Sequence, residues 1–452
     1  MHVDILVAEI GSTTTVVNAF DGIGTGRPKF IGQGQAATSV LQGDVTIGLE
    51  GAIENLRQNL GADTISRGQM LATSSAAGGL KMSVHGLVYD MTVRAAREAA
   101  LGAGAILANV TAGKMRRTEL AAVQSLRPNI ILVAGGVDYG ERDTALNNFE
   151  KLAFACPDTP FIYAGNVQNQ EEIRLIAAEK GVKVHIVPNV YPQVDVLDVE
   201  PTRKVIQDVF EEHIVMAPGM AKLRTMVNGK IMPTPGAVMQ AAKMLNGLLG
   251  DLVVFDVGGA TTDIHSVTHG SSEMNDILLS PEPFAKRTVE GDLGVFVNIP
   301  HVVEKIGMDE LKRQFPNAET LIAEARAIPE TDEQKRFAEV LTQTAVITAL
   351  GRHAGKLTDI YGPMGKKTMA TGKDLTAVRH IIGTGGALTR LPQREAILRK
   401  VMTPNTSATL APRLGAEILI DNHYIMASLG ALSLADQEAA LDLMQQSIAA
   451  DR

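Results

Sequence analysis

The stretch LVVFDVGGATTDIHS, residues 252–266, predicts two β-strands joined by a tight glycine turn. An apolar run ends at Asp256, a glycine pair follows, and a second β-type run begins after Asp263. Glycine lets backbone N–H groups approach a phosphate closely, and threonine hydroxyls add further donors. The two carboxylates that flank the turn suit a hydrated Mg²⁺ and an attacking water. For this stretch alone, an ordinary β-hairpin with a glycine turn is the alternative.

The same layout occurs a second time near the start of the chain. Residues 6–20 read LVAEIGSTTTVVNAF, in which an apolar strand carries the acid Glu9 and a Gly-Ser-Thr-Thr turn precedes a β-branched strand. A third segment, IIGTGGALTR at residues 381–390, places a glycine-rich turn directly after an apolar strand. Two matching hairpins followed by a strand and a GxGG turn form a far more specific signal than any one of the three.

In this order, the three segments resemble the phosphate-1, phosphate-2 and adenosine motifs of the actin, Hsp70 and sugar-kinase (ASKHA) superfamily of ATPases. In finer detail the chain resembles the MutL-type accessory proteins that reactivate adenosylcobalamin-dependent glutamate mutase. This group is unrelated to the mismatch-repair proteins that share the name. The family-like segments are EIGSTTT, TSSAAGGLKMSVHGLV, FDVGGATTDIHSV, TVEGDLG and GTGGALTR, and they run from residue 9 to residue 390.

The resemblance implies an α/β fold with two actin-like lobes, built on a ribonuclease H-like repeat, and an α/β domain inserted in the first lobe. Alternating strand and helix patterns before residue 215 also predict a small parallel sheet in the insert. Residues 216–236 are rich in Met, Pro and Gly, which predicts little regular structure. The expected divisions are a first lobe at 1–105, the insert at 106–215, a connector and helix at 216–250, a second lobe at 251–420, and a helix returning to the first lobe at 421–452.

Apolar periodicity predicts several helices. A long helix is predicted over Asp332–Leu357. Helices over 235–249 and 424–435 resemble the superfamily's two connecting helices, which couple the lobes. The amphipathic tail, residues 436–452, is predicted to be either a partner-binding helix or a frayed end.

Three small patterns leave a structural and a functional role open. The SSAAGG turn at residues 74–79 either lies near nucleotide phosphates or packs a helix closely on a strand. Gly135-Gly136 before Asp138 indicates either a second nucleotide site or a strand-end turn. We favour the turn, because no helix with a phosphate-type N-terminus follows directly. His265 shares a strand face with Asp263 and is predicted to be structural, because a lone histidine is not a zinc site.

The resemblance assigns roles to individual residues. Glu9 and Asp256 would face each other from the two lobes and hold Mg²⁺ through water, and Asp263 would orient or deprotonate the attacking water. The residues expected to contact phosphate are Gly11, Ser12, Thr13, Thr14, Gly258, Gly259, Ala260 and Thr261. The residues expected to contact adenosine are Gly383, Thr384, Gly385 and Gly386. Glu290 and Asp292 are candidates for the ribose, with a solvated turn as the alternative.

The chain departs from the superfamily pattern at two places. Glu9 stands where the first hairpin usually carries aspartate, and its extra methylene is expected to alter metal geometry or slow hydrolysis. Val16 and Val17 stand where the accessory family commonly shows a lysine. The pattern therefore supports nucleotide binding more strongly than fast turnover.

The resemblance implies a slow ATPase that uses ATP and Mg²⁺ to release damaged cobalamin from an adenosylcobalamin-dependent mutase. The chain has no DxHxxG signature, so it is not expected to hold the corrin itself. Two other classes stay open. One is a small-molecule kinase or an ATP-dependent hydrolase of the hydantoinase or oxoprolinase type. The other is an actin-like filament protein.

Composition narrows the class of protein. The 452 residues carry a net charge of -8 without a strong basic run, which argues against a nucleic-acid partner. A single cysteine, Cys156, fits a reducing cytoplasm. No apolar run approaches the ~20 residues that span a membrane, and the first residues lack the features of a signal peptide. We therefore expect a cytoplasmic protein whose oligomeric state the sequence leaves open.

Overall fold

The computed structural model describes residues 1–39, 43–75, 80–214, 220–362 and 365–449. The β-strands, numbered in chain order, are β1 (His2–Ile10), β2 (Thr14–Asp21), β3 (Lys29–Ala37), β4 (Ser66–Ser74), β5 (Lys81–Gly86), β6 (Ile106–Ala112), β7 (Ile130–Val133), β8 (Phe161–Tyr163), β9 (Val184–Ile186), β10 (Ile231–Pro233), β11 (Leu252–Val257), β12 (Thr262–Val267), β13 (Ala285–Glu290), β14 (Lys356–Gly362), β15 (Gly365–Thr371), β16 (His380–Thr384) and β17 (Glu417–Ile420).

The α-helices are α1 (Val45–Asn59), α2 (Arg94–Gly102), α3 (Arg117–Leu126), α4 (Asp143–Ala155), α5 (Gln170–Lys180), α6 (Glu200–Ile214), α7 (Met220–Met226), α8 (Thr234–Leu249), α9 (Ser272–Asn275), α10 (Ile299–Ile306), α11 (Met308–Gln314), α12 (Ala318–Ala323), α13 (Asp332–His353), α14 (Gly385–Arg390), α15 (Arg394–Arg399), α16 (Met426–Leu432) and α17 (Gln437–Ala449). A π-helical turn at Tyr89–Val93 leads into α2. Across the described ranges, no helix combines the length and apolarity needed to cross a lipid bilayer.

Two of the sheets repeat one strand order. The first runs β3-β2-β1-β4-β10 and the second runs β13-β12-β11-β16-β17. In each, three antiparallel strands form a meander, and two further strands run parallel to the first strand of that meander. This repeat confirms the predicted α/β fold with two actin-like lobes.

A third sheet lies between β4 and β10 in the chain. All five of its strands are parallel, in the order β6-β5-β7-β8-β9. The sheet includes β5, which precedes residue 106, where the sequence places the start of the insert. In β5, apolar Met82 and Val84 alternate with polar Ser83 and His85, a pattern typical of a half-buried strand, but all four side chains are buried. The Oγ of Ser83 lies 2.9 Å from Nε2 of His85, and Nδ1 of His85 lies 2.7 Å from Oγ1 of Thr111.

The prediction of little regular structure over 216–236 is wrong for the described part of that segment. Met220 and Leu223 are buried on α7, and β10 pairs in parallel with β4 as the outer strand of the first sheet. Pro233 is tolerated there because an outer strand leaves one side of its backbone unpaired. Three-residue strands carry no periodicity, so only the pairing with β4 reveals this one.

The long helix ends earlier than its pattern predicts. Helix α13 stops at His353, and Leu357 belongs to β14, which pairs with β15 as an antiparallel hairpin. The His353 ring is buried between the hydroxyls of Ser266 and Thr288, each 2.9 Å from a ring nitrogen. These contacts pin the helix end to the second sheet.

Helices α8 and α16 pack against each other between the two lobes. Helix α8 contacts β4 and β10 of the first sheet and β11 and β12 of the second. Helix α16 contacts β1 and β4. The tail is not frayed over its described part, because Leu443 and Met444 of α17 are fully buried in the same apolar cluster.

Close packing of these helices depends on Gly430. A Cβ on Gly430 would lie 1.9 Å from the carbonyl oxygen of Ala237 on α8, whereas a Cβ on Gly247 of α8 would meet nothing within 4 Å. We expect Gly430→Ala to lower the free energy of unfolding by about 3 kcal/mol and Gly247→Ala to raise it by about 0.5–1 kcal/mol. Chemical denaturation of both variants measures this. If Gly430→Ala left the denaturation midpoint unchanged, the two helices could move apart without a loss in the free energy of unfolding.

Candidate nucleotide site

The turns of the two hairpins have the same geometry. The Gly11 N–H donates to the carbonyl of Thr14 at 3.1 Å, and the Gly258 N–H donates to the carbonyl of Thr261 at 2.9 Å. The strand before each turn ends one residue after an acid, Glu9 in β1 and Asp256 in β11. The two acids therefore occupy equivalent positions in the two lobes.

The second turn presents free backbone amides. The carbonyl oxygens of Gly258, Gly259 and Ala260 accept hydrogen bonds from segment 295–298 at 2.7–3.2 Å. The amides of Gly259, Ala260 and Thr261 have no acceptor within the described part of the chain. Unpaired N–H groups on successive turn residues are the donors that bind anions.

The first turn is held from outside in a similar way. The Thr38 amide donates to the carbonyl of Thr13 at 3.0 Å, and the Thr38 hydroxyl donates to the carbonyl of Gly11 at 2.9 Å. The amides of Ser12 and Thr13 have no acceptor among the residues described. The turns also face each other, because a Cβ on Gly259 would lie 3.4 Å from Oγ1 of Thr13.

Part of the SSAAGG turn borders the first hairpin. The Ser75 amide donates to the carbonyl of Ile10 at 3.0 Å, and the Ser12 hydroxyl donates to the carbonyl of Ser75 at 3.3 Å. The remainder of that turn, residues 76–79, lies outside the described residues. The described part is therefore next to the candidate phosphate turn.

Glu9 is buried and fixed by polar partners on two elements. Its Oε1 accepts hydrogen bonds from the amide and hydroxyl of Ser428 at 2.9 and 2.5 Å and from Asn18 at 3.4 Å. Burial raises the pKa of Glu9 to about 7, with the charge of Asp421 adding to the rise and the Ser428 hydrogen bonds opposing it. The longer side chain thus reaches the N-terminal part of α16, the helix that packs on β1 and β4.

Asp256 lacks such partners. It is partly buried and accepts no hydrogen bond from the described side chains or amides. Burial, followed by the charges of Asp263 and Glu9, raises the pKa of Asp256 to about 8. The charge of Arg287 opposes this rise only in part, as expected of a site that binds a cation.

Asp263 pairs directly across the hairpin from Asp256. It is 4% exposed, and its Oδ1 forms a buried ion pair with Arg287 at 2.5 Å. Its Oδ2 accepts a hydrogen bond from the Thr261 hydroxyl at 3.0 Å. Arg287 opens the RTVEGDLG segment, and a basic residue within a buried strand is the sequence signal that could have found it.

Asp421 is a buried acid that sequence reasoning missed. It directly follows β17, and its carboxylate accepts from the Thr384 hydroxyl at 2.9 Å, the Met426 amide at 2.9 Å and the Ser447 hydroxyl at 2.6 Å. These contacts tie the third motif to the start of α16. An acid directly after an apolar strand was the available signal.

The four residues of the third motif differ in their surroundings. A Cβ on Gly383 would lie 2.8 Å from Leu398, so this glycine faces the core. Gly385 has φ +83°, and a Cβ there would lie 2.5 Å from Oδ1 of Asp256. A Cβ on Gly386 would meet nothing within 4 Å, so Gly386 alone of the three glycines faces open space.

The candidate ribose acids are both bound to Arg352 of α13. Its guanidinium pairs with Glu290 and forms a bidentate pair with Asp292 at 2.6 and 2.8 Å. Hydrogen bonds from Arg352 hold the pKa of Asp292 at about 2, whereas burial raises the pKa of Glu290. A ribose hydroxyl would therefore meet acids already held by a cation.

Gly135 and Gly136 form a turn at the end of β7. Gly136 has φ +70°, and a Cβ there would lie 2.1 Å from the carbonyl of Glu141. Oδ1 of Asp138 accepts from the Val167 amide at 2.9 Å and from Asn189 at 3.0 Å.

His265 is fully buried, and neither ring nitrogen has a partner among the described residues.

Glu9 and Asp256 make the stability of the metal-free protein depend on pH. Their folded pKa values, about 7 and about 8, exceed the ordinary values of 4.5 and 3.8. Between these limits the folded protein binds protons that the unfolded chain has released, so the free energy of unfolding falls as pH rises. Thermal unfolding in EDTA from about pH 5.5 to about pH 8.5 should show this fall. The double variant Glu9→Gln/Asp256→Asn should show a smaller slope, and an equal slope would contradict the assignment.

Comparisons with known proteins identify the family of the chain. A family model described as MutL protein matches residues 5–448. The chain is 35% identical over 462 aligned residues to Protein MutL of Clostridium tetanomorphum, covering 98% of each. Diol dehydratase-reactivating factor in its nucleotide-free form shares 10% identity, with a TM-score of 0.39 over 96% of this chain and 99% of that one.

A second solved structure, component A of (R)-2-hydroxyglutaryl-CoA dehydratase from Acidaminococcus fermentans, shares 10% identity, with a TM-score of 0.30 over 98% of each chain. Both structural similarities are too weak to support more than the strand order already does. The sequence match, in contrast, spans nearly the whole chain at substantial identity. The chain therefore belongs to the MutL protein family.

Proposed function

We propose that this protein is a slow, Mg²⁺-dependent ATPase that acts as an accessory, reactivating chaperone of an adenosylcobalamin-dependent mutase of the glutamate mutase type. One observation carries the ATPase part: two turns of the same geometry face each other with free amides, and each follows an equivalent acid. Free amides on two facing turns suit the phosphates of a nucleotide.

The acids of the site fit a hydrated Mg²⁺. Burial and the charges of Asp263, Glu9 and Asp421 raise the pKa of Asp256, so a divalent cation would offset the repulsion among these acids. Within the described ranges, no three His, Cys, Asp or Glu side chains are grouped to ligate a metal directly. Because Mg²⁺ keeps most of its waters, we assign Glu9 and Asp256 to those waters. When bound, the ion neutralises charge on the transferred phosphate.

Asp263 is proposed to orient the attacking water. Its carboxylate is fixed on both oxygens, by Arg287 and by the Thr261 hydroxyl, so its direction is set before the substrate arrives. A carboxylate held in this way contributes through positioning, which dominates phosphoryl transfer. The same proposal places adenosine against Gly386 and the ribose near Glu290 and Asp292.

The chaperone role is supported by membership of the MutL family. Helices α8 and α16 pack between the lobes. They lie close to the acids of the site, since the Ser428 amide of α16 donates a hydrogen bond to Glu9. Nucleotide binding at the acids would thus change how the lobes pack, and the partner would sense that change. We place the action in the cytoplasm with mutase subunits as partners.

ATP turnover by the purified protein tests the ATPase part. The proposal predicts slow hydrolysis that EDTA abolishes and Mg²⁺ restores. Capture from a native extract with and without Mg-ATP, followed by mass spectrometry, tests the partner, and an adenosylcobalamin-dependent mutase subunit is expected. Turnover raised well above basal by a sugar or a hydantoin, without such a partner, would favour a kinase or a hydantoinase-type hydrolase.

A further inference from the structure

Arg287 connects the site to the inserted domain. Its side chain is 1% exposed, with Nε and Nη2 donating to Oδ1 of Asp263 at 2.8 and 2.5 Å. Its Nη1 donates to the carbonyls of Leu101 and Ala105 at 3.0 and 3.2 Å. These carbonyls lie at and just beyond the end of α2, where the helix dipole favours a cation. One guanidinium therefore binds both the acid and the helix.

Helix α2 lies before residue 106, the predicted start of the insert, but it connects two strands of the parallel sheet of the insert and docks on the second lobe. In the chain, α2 follows β5 and precedes β6 of the parallel sheet. It packs on both strands and also on β13 of the second sheet. Arg94 pairs with Glu282 at 3.2 Å, and Glu98 pairs with Lys373 at 3.0 Å. We call these two ion pairs the α2 latch. Its members are mostly buried, so the pairs are little screened by solvent.

We propose that Arg287 is a positioning residue through which the insert sets the carboxylate of Asp263. The inference rests on the proposed function, because Asp263 acts on water only if the site hydrolyses ATP. A shift of α2 displaces the carbonyls that hold Arg287, and Arg287 carries the carboxylate with it. A partner protein that binds the insert would then change the hydrolysis rate without touching the nucleotide.

A double-mutant cycle tests the connection. Glu98→Gln weakens the latch without changing side-chain size, and Arg287→Met removes the link. We expect Arg287→Met to lower the single-turnover rate of ATP hydrolysis about 100-fold, with the Kd for ATP changed less than about twofold. Glu98→Gln should lower the rate about fivefold alone and not at all in the Arg287→Met background. Glu171→Gln, at an exposed position of α5, is the control and should change nothing.

Additive effects of Glu98→Gln and Arg287→Met would overturn the proposal, because independent structural damage adds. Arg287→Lys replaces Arg287→Met if the latter does not fold, since lysine keeps the charge but cannot bridge both partners. Hydrogen exchange separates this proposal from the ATPase itself. If the native protein hydrolyses no ATP, the proposed function fails, yet Glu98→Gln should still speed exchange in β12, the paired strand that carries Asp263. Faster exchange confined to α2 would overturn the inference.

Discussion

Asp256→Asn is expected to lower the rate of ATP hydrolysis about 100-fold, since a residue that holds a metal through its waters typically contributes this much. Asparagine keeps the shape but loses the charge, so nucleotide binding through the turn amides should persist. The same variant should melt at a higher temperature than the native protein in EDTA at about pH 8.5, because it removes a charged carboxylate that burial disfavours and that Asp263 and Glu9 repel.

Asp309→Asn is the matched control for this prediction. Asp309 is exposed in the first turn of α11, away from both hairpins. The Asp309→Asn protein should therefore hydrolyse ATP at the rate of the native protein. Radiolabelled phosphate release gives the rates, and differential scanning fluorimetry gives the melting temperatures. If the Asp256→Asn protein hydrolysed ATP at the native rate, Asp256 would not hold the metal.

Gly385→Ala and Gly386→Ala are expected to differ sharply although the residues are neighbours. At Gly385, a Cβ would lie 2.5 Å from both the Asp256 carboxylate and the carbonyl of Val257, at a φ of +83° that alanine rarely adopts. We therefore expect loss of hydrolysis and a free energy of unfolding lower by about 3 kcal/mol. At Gly386 the space is open, so the fold should be unaffected.

The Gly386→Ala variant reports on the nucleotide instead. If adenosine lies against this backbone, the new methyl group should weaken ATP binding about tenfold, a loss of about 1.4 kcal/mol. Calorimetric titration of ATP gives the Kd, and denaturant unfolding gives the stability of both variants. Unchanged affinity in a stable Gly386→Ala protein would mean that adenosine binds at another place.

The fold was predictable from the sequence where its signals are local. Each hairpin carries its strands, its glycine turn and its acid within 15 residues, so both could be found from pattern alone. Strand β10 could not, because three residues become a strand only by pairing with β4. Strand β5 has the alternation of a half-buried strand, and the burial of its polar face was not evident because Ser83 and His85 pair with each other inside the sheet.

In the site, too, residues with local sequence signals were predictable and those that depend on distant contacts were not. The acids Glu9, Asp256 and Asp263 stand beside glycine turns, so short-range chemistry indicates them. The contact of Ser428 with Glu9 joins residues 419 positions apart, and that of Arg287 with Leu101 joins residues 186 positions apart. Such partners follow only from the packing of the lobes. For the same reason the core-facing position of Gly383 was not evident from its motif.

Reactivation of an inactive mutase tests the central claim most directly. Adenosylcobalamin-dependent glutamate mutase whose bound cobalamin has lost its adenosyl group is incubated with this protein, Mg-ATP and free adenosylcobalamin. Mutase activity is predicted to return only with ATP and Mg²⁺ together, to return at the native rate with the Asp309→Asn protein, and to return about 100-fold more slowly with the Asp256→Asn protein. Hydrolysis of ATP without any return of mutase activity would contradict the chaperone assignment.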